Sequence, residues 1–203
     1  MKIEIHPDYP EARRIRQVCD ILESGGIVII PTDTVYALVC GSDQLKAVDK
    51  ICHVRHLEPE RAMLSIFCRD ISQVAAYAAQ LSNETFRIIR RNTPGPFTFI
   101  LKMSNSAQKI SKNRKKTIGI RIPDHKVLQA ILEEYGKPLV TTSLKTNDDV
   151  VEYYTDMADI EHEYIKVVDM IVESGDCGII ASTLIDCTEE IPEIIREGKG
   201  ELL

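Results

Sequence analysis

A chain of 203 residues, 44% apolar and 28% charged, is long enough to bury one core and too apolar to remain disordered. Its formal net charge of −6 excludes nucleic-acid binding through bulk charge, so such a role would rest on a local basic patch. No apolar run approaches the roughly 20 residues that cross a bilayer, and the opening MKIEIHPDYPEARR puts charges where a signal peptide needs an apolar core, so a cytoplasmic protein without membrane contact is expected.

Residues 10–24 read as a helix, with Pro10 in the first turn, Ile15, Val18, Ile21 and Leu22 on one face, and Gly25 at the end. Residues 27–31 read as a buried strand that stops at Pro31 and hands over without a spacer to Thr32, Asp33, Thr34, Val35 and Tyr36. A helix over 43–55, capped by Ser42 or Asp43, a strand over 63–68, and helices over 70–80 and 83–91 follow, the last capped by Ser82. Residues 97–102 and 117–122 read as strands joined by a lysine-rich loop. Asp124 is placed as the cap of a helix running to Tyr135, ended by Gly136, before a strand over 138–143. A polar, acidic stretch to about residue 160 reads as loop, then a helix near 163–173 and short strands near 178–181, 183–187 and 193–196. With no repeat or linker, residues 1–203 form one α/β domain with a mixed sheet.

Four strand ends carry small polar groups: Thr32–Thr34, Thr117, Thr141–Ser143 and Ser182–Thr183. Any one alone is an ordinary turn or capping hydroxyl. Together they would line a pocket at the ends of strands, suited to a small polar ligand or a phosphate chain. Arg121, between Ile120 and Ile122, needs an anion, either a structural acid or a ligand carboxylate or phosphate. Glycine-rich nucleotide motifs are absent, since GKG at 198–200 lacks the rest of a phosphate loop. His53 and His56 read as surface histidines, and six cysteines without a C-x-x-C pair read as reduced thiols rather than a metal site.

The stretches IPTDTVYAL, NTPGPFTFIL, TIGIRIP, TTS, STLIDC and IREG occur in the order and near the spacing of the YrdC/YciO/Sua-type family, which this chain resembles from about residue 15 to 198. The resemblance implies a twisted mixed sheet with flanking helices around a concave pocket. It implies synthesis of threonylcarbamoyl-AMP from L-threonine, bicarbonate and ATP with Mg²⁺, for the threonylcarbamoyl modification of adenosine in tRNA. By the same resemblance Thr32, Tyr36, Arg121, Thr141 and Ser182 match threonine-side positions, and Thr117, Ser143 and Arg196 match nucleotide-side positions. Catalytic members carry K-x-R, where this chain has Arg55-His56-Leu57, and S-x-N, where it has Ser143-Leu144-Lys145. The pattern is closest to the YciO-type branch. Arg55 is the surviving cation and Lys145 a candidate replacement, with Arg61 a further one. The extra C-terminal domain of longer relatives is expected to be absent, because the chain ends soon after IREGKG.

Arg121 is accordingly expected to anchor a carboxylate from solution, so that Arg121→Met removes the ligand and spares stability. Family members also bind double-stranded RNA and tRNA. The run KISKNRKK, with Lys112, Arg114, Lys115 and Lys116, offers a backbone-tracking basic surface; a solvated loop is its plain alternative. The functions in competition are a threonylcarbamoyl-adenylate synthase, an RNA-binding relative with weak or no adenylation, and an adenylating enzyme for another amino acid or carbamate.

Overall fold

The computed structural model describes residues 1–111, 113–146 and 152–203. Among these, ten strands form one sheet: β1 (Lys2–Glu4), β2 (Val28–Ile30), β3 (Ala37–Gly41), β4 (Ser65–Phe67), β5 (Phe97–Lys102), β6 (Thr117–Arg121), β7 (Leu139–Ser143), β8 (Met170–Glu173), β9 (Thr183–Asp186) and β10 (Glu193–Arg196). The order across the sheet is β1-β8-β2-β3-β7-β4-β6-β5-β9-β10. Parallel pairs (β1/β8, β2/β8, β4/β6, β5/β9) are interspersed with antiparallel ones, so the sheet is mixed, as expected.

Among the described residues seven helices cover it: α1 (Ala12–Glu23), α2 (Leu45–Val54), α3 (Ile71–Tyr77), α4 (Asn83–Asn92), α5 (Asn105–Gln108), α6 (Lys126–Tyr135) and α7 (Met157–Tyr164). One sheet face carries an apolar core from β8 to β9. Ile29, Leu38, Val140, Ile66, Ile120, Phe99 and Ile185 project there and pack with side chains of α2, α3, α4, α5 and α7. The opposite face is covered only in part. Val28, Ile30, Val39, Met170 and Val172 pack under Ile15, Val18, Cys19 and Leu22 of α1 and Val127, Leu128, Ile131 and Leu132 of α6, and this second core stops at Phe67 and Leu139. Each of these buried aliphatics contributes about 1.5–3 kcal/mol, which fixes the two helices over that half. The same face of β7, β4, β6, β5 and β9 is left without a helix, and there the alternating positions are Thr141 and Ser143, Ser65, Gly119 and Arg121, Thr98 and Ile100, and Leu184, with Ser182 just before β9.

Several boundaries differ from the sequence reading. Pro10 lies outside α1, whose N-cap is Glu11 without a side-chain cap. The N-cap position of α2 is Gln44, without a side-chain cap bond, rather than Ser42 or Asp43; the Asp43 carboxylate is committed to the Tyr135 hydroxyl (2.6 Å) and Lys137. His125, not Asp124, caps α6, its Nδ1 accepting from the Leu128 amide at 3.3 Å; Ser82 and Gly136 act as expected. The expected helix near 163–173 is instead the end of α7 followed by β8, since Met170–Val172 sit between β1 and β2 and are buried on both faces. Residues 178–181 are not a strand. β1 and β3 have no counterpart in the sequence reading: β1 is only three residues long, and β3 follows the polar Thr32–Thr34 turn too closely to stand out.

Candidate functional site

The uncovered part of the sheet is the floor of a cavity of about 680 Å³. Its walls are the segment after α2 (Arg55, Leu57, Glu58, Arg61, Met63), Lys145 and Tyr153, and Arg196 at the end of β10. Gly119 makes room for the floor. A Cβ there would come within 2.3 Å of Ser65 Oγ and 3.0 Å of Thr98 Cγ2. Beside it Thr98 Oγ1 and Ser182 Oγ lie 2.7 Å apart, so hydroxyls run across neighbouring strands. Gly119→Ala should therefore cost about 1–3 kcal/mol by overpacking and should weaken any ligand lying on this floor, a loss readable by thermal melting and calorimetry.

Arg121 occupies one end of the floor. Its Nη2 donates to Asp33 Oδ1, its guanidinium lies 5.6 Å from the Phe67 ring centroid, and both charged side chains are more than nine-tenths buried. Burial pulls the guanidinium down from its ordinary pKa, and Asp33 opposes that pull. The expectation that Arg121 has no structural acid is thus corrected: the polar turn after β2 folds Asp33 against it. The pair is incompletely satisfied. Arg121 Nε, Asp33 Oδ2 and Thr141 Oγ1 are buried without a hydrogen-bond partner. Each such atom costs about 1–3 kcal/mol, which a polar ligand or a small closure at this end would recover.

Of the residues singled out from sequence, Arg55, Arg121, Thr141, Ser143, Lys145, Ser182 and Arg196 line the cavity, and so does Arg61. Arg55 is the C-cap of α2, held by Nη1 donating to the Lys145 carbonyl at 3.1 Å and the Tyr164 hydroxyl at 3.4 Å. Arg196 Nη2 donates to the Ser182 carbonyl at 2.8 Å. Lys145 is already engaged: its ammonium pairs with Glu152 and lies 5.6 Å from the Tyr153 ring centroid.

Three residues are not brought to the wall. The Thr32 hydroxyl shapes the turn, donating to the Val35 carbonyl at 2.7 Å and accepting from the Thr34 amide at 3.0 Å. Tyr36 points into the helix-covered core, donates to the Gly175 carbonyl at 3.3 Å, and has its phenol pKa pushed up by burial. Thr117 starts β6, opposite Lys102 and away from Arg121.

Sequence reasoning missed Ser65, Thr98, Gly119, Tyr153 and Glu58 as cavity residues. A signal existed for the three floor strands β4, β5 and β6. In SIF, FTFILK and TIGIRI one alternate set is apolar and the other contains small, polar or charged residues, which is unusual for strands in the middle of a sheet.

Of the basic loop, Lys112 lies outside the described residues. Lys115 and Lys116 are exposed. Arg114 pairs with Glu60, and its amide donates to the Glu60 carbonyl at 3.1 Å, so the loop docks on the segment that walls the cavity. Among the described residues no group of three or more His, Cys, Asp or Glu could hold a metal ion, and no helix is long and apolar enough to cross a membrane.

Residues 20–198 match the Sua5/YciO/YrdC family, described as telomere recombination. The protein YciO of Escherichia coli K12, named as uncharacterised, is 37% identical over 200 residues, 98% of this chain and 95% of its own. A threonylcarbamoyl-AMP synthase of Vibrio vulnificus is 29% identical over 131 residues, 64% of this chain and 70% of that one. The crystal structure of E. coli YciO has a TM-score of 0.91 at 36% identity, covering 99% of this chain and 97% of that one. P. abyssi Sua5, solved in complex with L-threonine, shares the fold with a TM-score of 0.87 at 24% identity, over 98% of this chain and 57% of that one.

Proposed function

The chain belongs to the Sua5/YciO/YrdC family, and from that premise we propose that its cavity binds ATP and L-threonine and forms threonylcarbamoyl-AMP, with bicarbonate consumed and pyrophosphate released, in the cytoplasm and for tRNA modification. The observation that carries this reading is a cavity walled by Arg55, Arg61, Arg121, Lys145 and Arg196 in a chain of net charge −6. Arg121 is paired with Asp33, Lys145 with Glu152 and Arg61 with Glu58 at 3.3 Å, so Arg55 and Arg196, whose guanidinium groups donate to main-chain carbonyls, are the wall cations that best suit a polyanion. The hydroxyl floor suits the polar remainder of a nucleotide or amino acid.

Arg121 with Thr141 would take the amino-acid carboxylate and hydroxyl. Arg55 and Arg196 would orient the phosphates. In the reaction the threonine nitrogen attacks the bicarbonate carbon with loss of water. A carbamate oxygen then attacks the α-phosphorus, and pyrophosphate leaves with the electron pair of the broken P–O bond. Fixed guanidinium groups stabilise the charge that develops on those oxygens. Mg²⁺ fits here only as an ion carried by the phosphates, because Glu58 is the sole carboxylate on the cavity wall among the described residues.

The test is pyrophosphate release with all three substrates and with each omitted, with threonylcarbamoyl-AMP identified by mass spectrometry. Release that requires threonine and bicarbonate is expected. Absence of product, together with no ATP binding at millimolar concentration, would overturn the reading. A second reading, an RNA-binding relative, is favoured by the exposed Lys115 and Lys116 beside the cavity segment. It expects neutralisation of Lys112, Lys115 and Lys116 to weaken duplex RNA binding alike for all sequences and to flatten the salt dependence by about 0.7–0.9 log-log units per lost phosphate contact. Arg114 should matter less, since Glu60 already occupies it. Unchanged affinity and slope would mark the loop as a solvated connection.

A further inference from the structure

β10 is the last strand of the sheet, and its outer backbone edge has no neighbour among the described residues. All four of its residues are exposed. More than half of the exposed large apolar side chains among the described residues fall between Ile179 and Leu203, with Ile191 at 74%, Ile194 at 49% and Ile195 at 54% on or beside this edge. Soluble monomers blunt an open apolar edge with charge, brevity or a bulge, because it is a template for another strand. Here the edge is short and bulged, yet its charges are arranged for pairing rather than repulsion.

The register shows why. Glu193 pairs with Asp186, Ile194 with Ile185, and Arg196 with Leu184, so the bulge places Ile194 and Ile195 where one residue would sit. Asp186 and Leu184 are two residues apart on β9, and Leu184 lines the cavity. Glu193 and Arg196 therefore share the cavity face. Ile194, opposite the buried Ile185, points to the other face. A second β10 laid antiparallel about a two-fold axis normal to the sheet keeps each face. It sets Glu193 against Arg196 of the other copy twice, with the isoleucines meeting between them. Opposite charges directly across an antiparallel pair stabilise it, and the contact is isologous and closes on itself.

We propose that β10 is a self-association edge through which two copies of this chain join their sheets, setting Glu193 of each copy beside Arg196 at the mouth of the other's cavity. The idea does not rest on the adenylation reading. It needs only the edge, its register and its charge order.

The test is sedimentation of the full chain from about 1 to 100 µM, a range that resolves weak and moderate affinities. The expected mass rises from one chain to two. Glu193→Arg and Arg196→Glu should each be monomeric, with association weakened at least about tenfold, because each sets like charges opposite one another. Mixed one to one, the two variants should associate again. The two substituted positions then face each other with opposite charges, and so do the two native ones; circular dichroism checks that each variant is folded. Ile195→Lys, which leaves the cavity face alone, should also be monomeric with an unchanged melting temperature. A wild-type chain that stays monomeric throughout, a dimer indifferent to Glu193→Arg and Ile195→Lys, or a folded variant pair that fails to associate would each overturn the proposal.

Discussion

Arg121→Met is expected to lower stability by about 3–5 kcal/mol and to abolish L-threonine binding together. For a chain of this size that is a fall of about 6–20 °C in melting temperature. The cost comes from what remains. Asp33 would keep a carboxylate more than nine-tenths buried, with one oxygen already unpartnered and the other deprived of its ion pair with Arg121. Phe67 would lose the cation over its ring, a smaller effect. The sequence reading, which expects the same substitution to spare stability, treats Arg121 as waiting for a ligand, whereas the fold supplies an internal partner first.

The two roles separate in a double variant. Replacing both partners of a buried ion pair by apolar residues is often neutral, so Asp33→Leu with Arg121→Met should recover much of the melting temperature. Threonine binding, followed by calorimetry, should stay lost. If the single variant melts like the parent, the Asp33 pairing is not formed in solution. If it still binds threonine, Arg121 is only a core ion pair and the carboxylate is held elsewhere.

How far the sequence could be read depended on where the information lay. The long periodic helices α1, α4 and α6 and the strands β5, β6 and β7 were legible because one face of each carries regular apolar spacing and their ends carry Ser82, Gly136 or a lysine-rich turn. β8 was not, because its apolar run is buried on both sides and has no alternation to distinguish it from a helix. In the site, Arg121, Thr141, Ser182 and Arg196 stood out as single residues at strand ends. The floor did not, because Ser65, Thr98 and Gly119 are chemically plain and matter only through the β4/β6/β5 register that sets them side by side. Thr32 and Tyr36 do not line the cavity, for the converse reason. A hydroxyl two residues from a strand end is as well suited to closing the turn as to meeting a ligand, and here the turn uses it.

Leu57→Arg is expected to tighten ATP–Mg²⁺ binding by about one to two decades, the worth of a charge-assisted contact of roughly 1.5–3 kcal/mol. Leu57 lines the cavity two residues after Arg55 and is 37% exposed, so a longer cationic side chain can extend into the opening without displacing core. Whether the parent already has a substitute cation turns on Lys145. That ammonium is on the wall but is neutralised by Glu152, and both side chains are about half exposed. An exposed pair of this kind holds only about 0–1 kcal/mol, so phosphates could compete for the lysine. Glu152→Gln should therefore strengthen ATP binding in the parent, and Lys145→Asn should weaken it. In the Leu57→Arg background Lys145→Asn should be tolerated, because the added guanidinium takes over. Calorimetric titration of the parent and these variants with ATP–Mg²⁺ decides this. An unchanged parent affinity in both Glu152→Gln and Lys145→Asn would mean that Lys145 belongs to the Glu152 pair alone. Arg55 and Arg196 would then be the cations left to hold the phosphates, joined by Arg61 only where it releases Glu58, 3.3 Å away.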